Sequence, residues 1–242
     1  MASQPQEMTA KRAEQVARAI EDRIVALGWP VGRLIGSEQS LMEEHDASRG
    51  VLREAVRLLE HHGTARMRRG PGGGLVVQAP SASAVRRSAA LLLHYRRTDL
   101  AALVAARKAM ELTCLDLVAD RMPEDPMIGG RLLSSLQAEA IHPGYRGSEF
   151  HLTLARQCGN PVISMLAETL IELHGEALPR HGEPIDPEHA LLDQATCRDD
   201  HSVILDALTA NSRVAARTAL AEHLDRIADA SLATDAGESL LA

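Results

Sequence analysis

Aromatic side chains are almost missing from this chain: one Phe, one Trp and two Tyr among 242 residues. Leu, Val, Ile, Ala and Met must therefore fill its core, which favours helices packed through aliphatic faces over an aromatic-rich sheet. Cysteine is scarce too. Cys114, Cys158 and Cys197 are far apart and odd in number, with no Cys-x-x-Cys pair. No zinc ribbon, redox motif or disulfide framework is indicated. Apolar runs such as Ala89–Leu93 are far too short to cross a bilayer. The polar stretch Met1–Met8 lacks a signal-peptide core. A reducing cytoplasm is the expected setting, with no membrane partner.

A chain of 242 residues can hold one large domain or two small ones, and its charge is unevenly divided. The net charge is −7. Residues 1–80 carry 11 Lys and Arg against 10 Asp and Glu, the remainder 15 against 23, and Ala47–Gly70 holds six Arg against two Glu. Counterion release on phosphate binding depends on the contacting face, so a locally basic face suits nucleic acid whatever the total. The acidic remainder would repel a duplex and orient the protein by its basic end.

Val16, Ala19, Ile20, Ile24 and Leu27 recur at three and four residues, which predicts an amphipathic helix over Lys11–Leu27. Gly28, Pro30 and Gly32 stop it. Ser37 can cap a short second helix through Glu44, Asp46-Ala47 makes a turn, and Ser48 can cap a third helix reaching His62. In that third helix Leu52, Ala55, Val56 and Leu59 form one face, while Arg49, Arg53 and Arg57 repeat every four residues on another. Guanidinium groups suit phosphates and guanine edges. Taken alone, the same stripe also fits a solvated surface helix.

The following residues favour the first reading. Gly63 ends the helix, and Thr64–Arg69 alternates as a strand would, placing Arg66, Arg68 and Arg69 along it. Gly70-Pro-Gly-Gly-Gly74 is a turn and Leu75–Gln78 a returning strand. A helix, a tight turn, a basic helix and a two-stranded wing make a winged helix-turn-helix. A nucleotide-cradling loop would need a Lys-Ser/Thr pair or a dinucleotide fingerprint after the glycines, and neither is there.

Arg33-Leu-Ile-Gly-Ser-Glu38, Ser48-Arg-Gly-Val-Leu-Arg-Glu-Ala55, Leu58-Leu-Glu60 and the glycine-rich wing together resemble the GntR family of bacterial regulators over about Ala10–Pro80. The resemblance implies that Arg49 and Arg53 contact double-stranded operator DNA, assisted by Ser48 and the wing around Arg69, Gly72 and Gly73. Arg33 and Gly50 belong to the matching motifs, and Arg57 to the basic stripe. One departure stands out: Gln39 follows Glu38 where many members carry Arg.

Beyond a short Pro80–Ser83 hinge the periodicity is helical throughout. Helices are expected over about 84–97, 100–122, 127–140, 149–158, 162–178, 188–210 and 213–232. Gly159-Asn160-Pro161 stops one helix and caps the next, and Asp186-Pro187 repeats the cap-then-proline pattern. The expected fold is mainly α: a winged helix-turn-helix of three helices and a two-stranded wing in 1–80, then an all-α bundle in 81–242.

His201 and His223 flank a break at Asn211-Ser212, ten residues before Asn211 and twelve after it. In an antiparallel hairpin such arms rise roughly 15 and 18 Å, so the two imidazoles reach similar heights. His151 lies near the start of another amphipathic helix. Three converging neutral imidazoles would hold zinc, or alternatively nickel or manganese; separately, each histidine also fits a surface or hydrogen-bonded position. His94, His142, His174, His181 and His189 receive no role, and most are expected at the surface.

Phe150-His-x-x-Leu-Ala155, Gly159-Asn160, His201-x-x-Ile204-Leu-x-Ala-Leu208 and His223-Leu224 resemble the FadR-like subfamily with its FCD effector domain. In metal-binding FCD domains the three histidines are joined by an Asp one turn before the first, a position held here by Gly147. Glu149, two residues from His151, would point elsewhere on a helix. Arg107-Lys-Ala-Met-Glu111 matches the family's Arg-x-x-x-Glu, which implies that Arg107 faces the pocket and grips an anionic effector, such as a carboxylate held by two parallel hydrogen bonds. An Arg107–Glu111 surface pair at i,i+4 is the competing reading. The expected function is a homodimeric, effector-controlled repressor on a pseudo-palindromic operator. A metal-dependent hydrolase and an architectural DNA binder with a structural metal are the rivals, and no His-Glu-x-x-His motif supports the former.

Overall fold

The computed structural model describes residues 4–80, 83–141, 148–177 and 194–234. They fall into two compact units, Met1–Ala84 and Val85–Ala242.

The first unit runs α1 (Gln4–Ala26), β1 (Leu34–Gly36), α2 (Glu38–Glu44), α3 (Arg49–His62), β2 (Ala65–Arg68) and β3 (Gly74–Val77). Each short helix begins where a serine satisfies an orphan amide. Ser37 Oγ accepts from Ser40 N at 3.1 Å, and Ser48 Oγ from Val51 N at 3.4 Å. Gly63 ends α3 in the left-handed conformation at φ 71°. Ile20 and Ile24 of α1, Leu41 of α2, Leu52, Ala55 and Leu59 of α3, and Leu75 of β3 form a fully buried core. Leu27, assigned to the apolar face of α1, lies just past its end and is exposed.

The sheet differs from the expected two-stranded wing. Three antiparallel strands lie in the order β1-β3-β2, with Ala65 opposite Val77 and Arg68 opposite Gly74 on one side of β3, and Leu34 opposite Val76 on the other. With three residues, β1 is too short to show an alternating pattern; only its pairing with β3 makes it a strand.

Among its described residues the second unit is entirely helical: α4 (Ser83–Tyr95), α5 (Leu100–Arg121), α6 (Met127–Ile141), α7 (Ser148–Gln157), α8 (Pro161–Ala177), α9 (Gln194–Thr209) and α10 (Arg213–Thr234). Asp99 caps α5 through Ala102 N at 2.8 Å. Between α7 and α8, Gly159 adopts φ +77°, Asn160 Oδ1 accepts from Val162 N and Ile163 N at 3.0 and 3.2 Å, and Pro161 opens α8. A Cβ on Gly159 would also strike the Arg121 side chain at 2.7 Å. Asn211, at φ 55°, turns the chain from α9 into α10, and the two pack along one another. The core is aliphatic apart from Phe150, Cys114 and Cys158: it includes Leu115 and Val118 of α5, Ile128 and Leu132 of α6, Leu154 of α7, Ile171 of α8, Ile204 of α9 and Leu220 of α10. No described helix is long and apolar enough to cross a membrane.

Candidate functional site

The first unit presents a basic face. Packing of Val51, Leu52, Ala55, Val56 and Leu59 fixes the roll of α3 and leaves Arg49, Arg53 and Arg57 exposed, with Ser48 and Gly50 exposed at its start. Arg49 Nε lies 3.5 Å from Glu38 Oε1, and Arg57 pairs with Glu54 at 2.7 Å. Such exposed pairs contribute little and yield readily to a phosphate. Arg33 is exposed just before β1, and its carbonyl accepts from Val77 N at 3.0 Å.

Glycine at the wing tip is a geometric requirement. Gly73 N donates to Gly70 O at 2.9 Å across a turn with Pro71 second and Gly72, at φ +70°, third. That is the type II pattern, in which Pro presets one angle and Gly supplies the positive φ. A Cβ on Gly73 would lie 2.3 Å from Arg68 O. Arg68 Nη2 donates to Gly72 O at 3.0 Å, and Arg66 and Arg69 are exposed beside it.

The second unit brings together the three histidines singled out from the sequence. His151 (α7), His201 (α9) and His223 (α10) are at most 1% exposed. Their Nε2 atoms form a nearly equilateral triangle, with edges of 3.2 Å (His151–His223), 3.1 Å (His151–His201) and 3.0 Å (His201–His223). Phe150 stacks on His201 with centroids 4.5 Å apart and planes 13° from parallel.

Each ring is anchored from behind by a carboxylate on its Nδ1: Glu111 for His151, Glu139 at 3.0 Å for His201, and Asp200 at 2.9 Å for His223. An ionised carboxylate only accepts, so Nδ1 carries the hydrogen and Nε2 of a neutral ring is left with a lone pair. Burial, opposed by the charge and hydrogen bond of Glu111, lowers the His151 pKa to about 3. Burial and the charge of His201, opposed by Asp200, lower that of His223 to about 4. Burial alone would raise Glu111; His151 and Arg107 outweigh it and hold its carboxyl at about 2. Asp200 is likewise raised by burial but lowered on balance by its hydrogen bonds to Arg226 and His223.

With the three rings neutral, three lone pairs converge on one buried point with no hydrogen between them, an arrangement suited to a cation. The donor set fits one. At zinc–nitrogen distances of 2.0–2.1 Å, neighbouring nitrogens stand about 2.9 Å apart on an octahedral face and about 3.3 Å apart in a tetrahedron, and the observed edges fall between. The carboxylates are the outer partners that fix ring orientation in metal-binding histidines.

Arg107 is also buried, with a side chain 8% exposed, and donates from Nε to Glu111 Oε1 at 2.6 Å and from Nη1 to His174 Nδ1 at 2.5 Å. The i,i+4 pair of the sequence reading is thus present, inside the bundle rather than on its surface. His174, 1% exposed, departs from the expected surface position, and its Nε2 meets Ser231 Oγ at 3.0 Å. Burial and the neighbouring Arg107 charge lower its pKa to about 3. His94 is exposed, while His142, His181, His189 and Gly147 lie outside the described residues. Glu149 reaches Arg156 at 3.9 Å. The sequence reading missed Glu139, Asp200, His174 and the outer role of Glu111. Only the Arg-x-x-x-Glu spacing signalled any of them.

Comparison with known proteins agrees with both units. Residues 12–75 match the model of the bacterial regulatory proteins of the gntR family, and residues 102–226 match the FCD domain. The Uxu operon transcriptional regulator of Escherichia coli is 27% identical over 227 residues, covering 88% of this chain and 84% of the relative. The Exu regulon transcriptional regulator of the same organism is 24% identical over 219 residues, covering 88% and 81%. Among solved structures, Streptococcus agalactiae GntR shares the fold with a TM-score of 0.55 and 21% identity, covering 90% of this chain and 99% of that one. With a GntR helix-turn-helix followed by an FCD domain, the chain belongs to the GntR family of bacterial regulators and is a ligand-responsive, DNA-binding transcriptional regulator.

Proposed function

We propose that the chain is a homodimeric cytoplasmic repressor whose effector unit holds a divalent metal ion on His151, His201 and His223. The observation that carries this reading is the triangle of inward-facing Nε2 lone pairs, each ring held in its tautomer by a carboxylate. Zinc is the proposed ion, with nickel and manganese read in the same test. As a Lewis acid the metal would receive an anionic oxygen. Three histidine nitrogens leave a coordination position for water or for the carboxylate of a small organic acid. Arg107 is the nearby cation, and its Nη2 takes no part in the bonds to Glu111 and His174.

In this reading residues 1–80 bind a pseudo-palindromic operator and residues 81–242 hold the effector and the dimer contact. Arg49, Arg53 and Arg57, with Ser48 and Gly50, enter the major groove, while Arg33, Arg69, Gly72 and Gly73 approach the backbone. Two-fold protein symmetry mirrors a palindrome. The effector changes the spacing of the two recognition helices. To carry the balance from 1:99 to 99:1 it must prefer one state by about 5.5 kcal/mol. A hydrolase would need a general base beside a metal-bound water, whereas Glu111, Glu139 and Asp200 all stand behind the rings.

The test is elemental analysis of untagged protein prepared without chelators, beside a His151→Ala/His201→Ala/His223→Ala variant. About one metal ion per protomer, absent from the variant, is expected. Metal-free wild-type protein reconstituted with none of the three ions would overturn the reading.

A further inference from the structure

Behind His151 the outer support continues well past its carboxylate. Ser231 Oγ donates to Ile227 O at 2.6 Å and so offers a lone pair to His174 Nε2–H at 3.0 Å. His174 Nδ1 is then unprotonated and accepts from Arg107 Nη1. Arg107 Nε donates to Glu111 Oε1, and Glu111 Oε2 accepts from His151 Nδ1. Every proton in this series has a single consistent direction, and the last one leaves His151 Nε2 bare toward the other two rings. The series passes from α10 through α8, α5 and α7, and its side chains are buried throughout. The support of His223 is unlike it: Asp200 is 20% exposed and is shared with Arg226, itself 42% exposed.

We propose that Arg107 and His174 are positioning residues of the metal site, acting through Glu111 to fix the tautomer and aim of His151. The proposal rests on the metal reading above. A guanidinium held through Nε alone can rotate about that bond, and a second partner on Nη1 fixes its plane. His174 occupies that arm, so Arg107 stays planar against Glu111 and the carboxylate cannot turn away from His151. Any contact that Arg107 makes with an effector is additional to this role. Position 174 thereby influences the affinity of a metal it does not touch.

The experiment measures the dissociation constant of Zn²⁺ for the full chain by competition with a chromophoric chelator, alongside the melting temperature of the metal-free protein. His174→Leu removes both of the ring's bonds and is expected to weaken Zn²⁺ binding at least about tenfold, the usual size of an outer-partner loss. His174→Asn keeps a carbonyl able to accept from Arg107 and is expected to recover most of that loss. Ser231→Ala, deleting one oxygen, tests the same series should the Leu variant not fold, with a several-fold weakening expected. Zn²⁺ affinity unchanged in these variants, even with a lowered melting temperature, would overturn the inference and leave the metal reading intact. Wild-type protein that takes up none of Zn²⁺, Ni²⁺ and Mn²⁺ would overturn both.

Discussion

Acidifying the metal-free protein from pH 7 to pH 5.5 should remove about 4 kcal/mol of stability from its C-terminal unit. Burial holds His151 and His174 at about 3 and His223 at about 4, whereas an imidazole in an unfolded chain titrates near 6.5. Because these folded-state values are depressed, the unfolded chain binds the protons that the native bundle refuses. The stability so conferred is complete above pH 6.5 and is lost as the pH falls through the window from about 6.5 toward 4 and 3. One pH unit below 6.5 each histidine has cost a little over 1 kcal/mol relative to pH 7. Three together remove a large share of the 5–15 kcal/mol typical of a domain. Glu111, held at about 2, adds a further loss only below its ordinary 4.5. Urea unfolding at the two pH values, followed by helical circular dichroism, measures the change. Trp29, the only tryptophan, lies in the N-terminal unit, so its fluorescence reports that unit separately. A C-terminal transition that moves by less than about 1 kcal/mol, or that weakens only below about pH 4.5, would refute the reasoning.

Chelation should act on the same unit: at free metal about a hundredfold above its dissociation constant, EDTA should remove about 3 kcal/mol from the C-terminal transition and leave that of Trp29 in place. On operator DNA selected in vitro, Arg49→Ala/Arg53→Ala should lower the slope of log affinity against log salt by about 2 if both contact phosphate. If Arg53 instead reads a base edge, Arg53→Ala should cost about 1–3 kcal/mol and relax specificity at one position. Anisotropy titrations separate these outcomes, and unchanged affinity and slope would remove both residues from the interface. Gly73→Ala places a methyl group against Arg68 O and should cost the wing about 1–3 kcal/mol; weakened operator binding with helix content intact would show the defect confined to the tip.

Helix ends were readable in the second unit because particular residues punctuate them. Gly159-Asn160-Pro161 supplies a left-handed stop, a cap and a first-turn proline in succession. In the first unit, Ser37, Ser48 and Gly63 did the same for α2 and α3. β1 escaped notice because three residues carry no period, and its identity rests on a partner forty residues away. His201 and His223 could be placed at similar heights from their distance to Asn211, but their convergence with His151 needed the fold. The carboxylates behind them could not be paired by spacing. Asp200 adjoins His201 in sequence yet serves His223, since adjacent residues on a helix point in different directions. Nothing in the spacing around His174 marks it as buried: its neighbours Glu172 and Glu176 meet Arg86 of α4, while His174 turns inward to Arg107.

The scarcity of aromatic residues has a practical consequence at the site. Phe150 is the only phenylalanine of the chain, and its ring lies flat on His201. Biosynthetic replacement by a fluorinated phenylalanine would therefore give a fluorine spectrum of one line, with no assignment to be made. That nucleus sits against an imidazole whose electron density changes when its nitrogen coordinates an ion. Its chemical shift would record loading of the triad in the intact protein, with operator DNA present or absent, without a label on either surface.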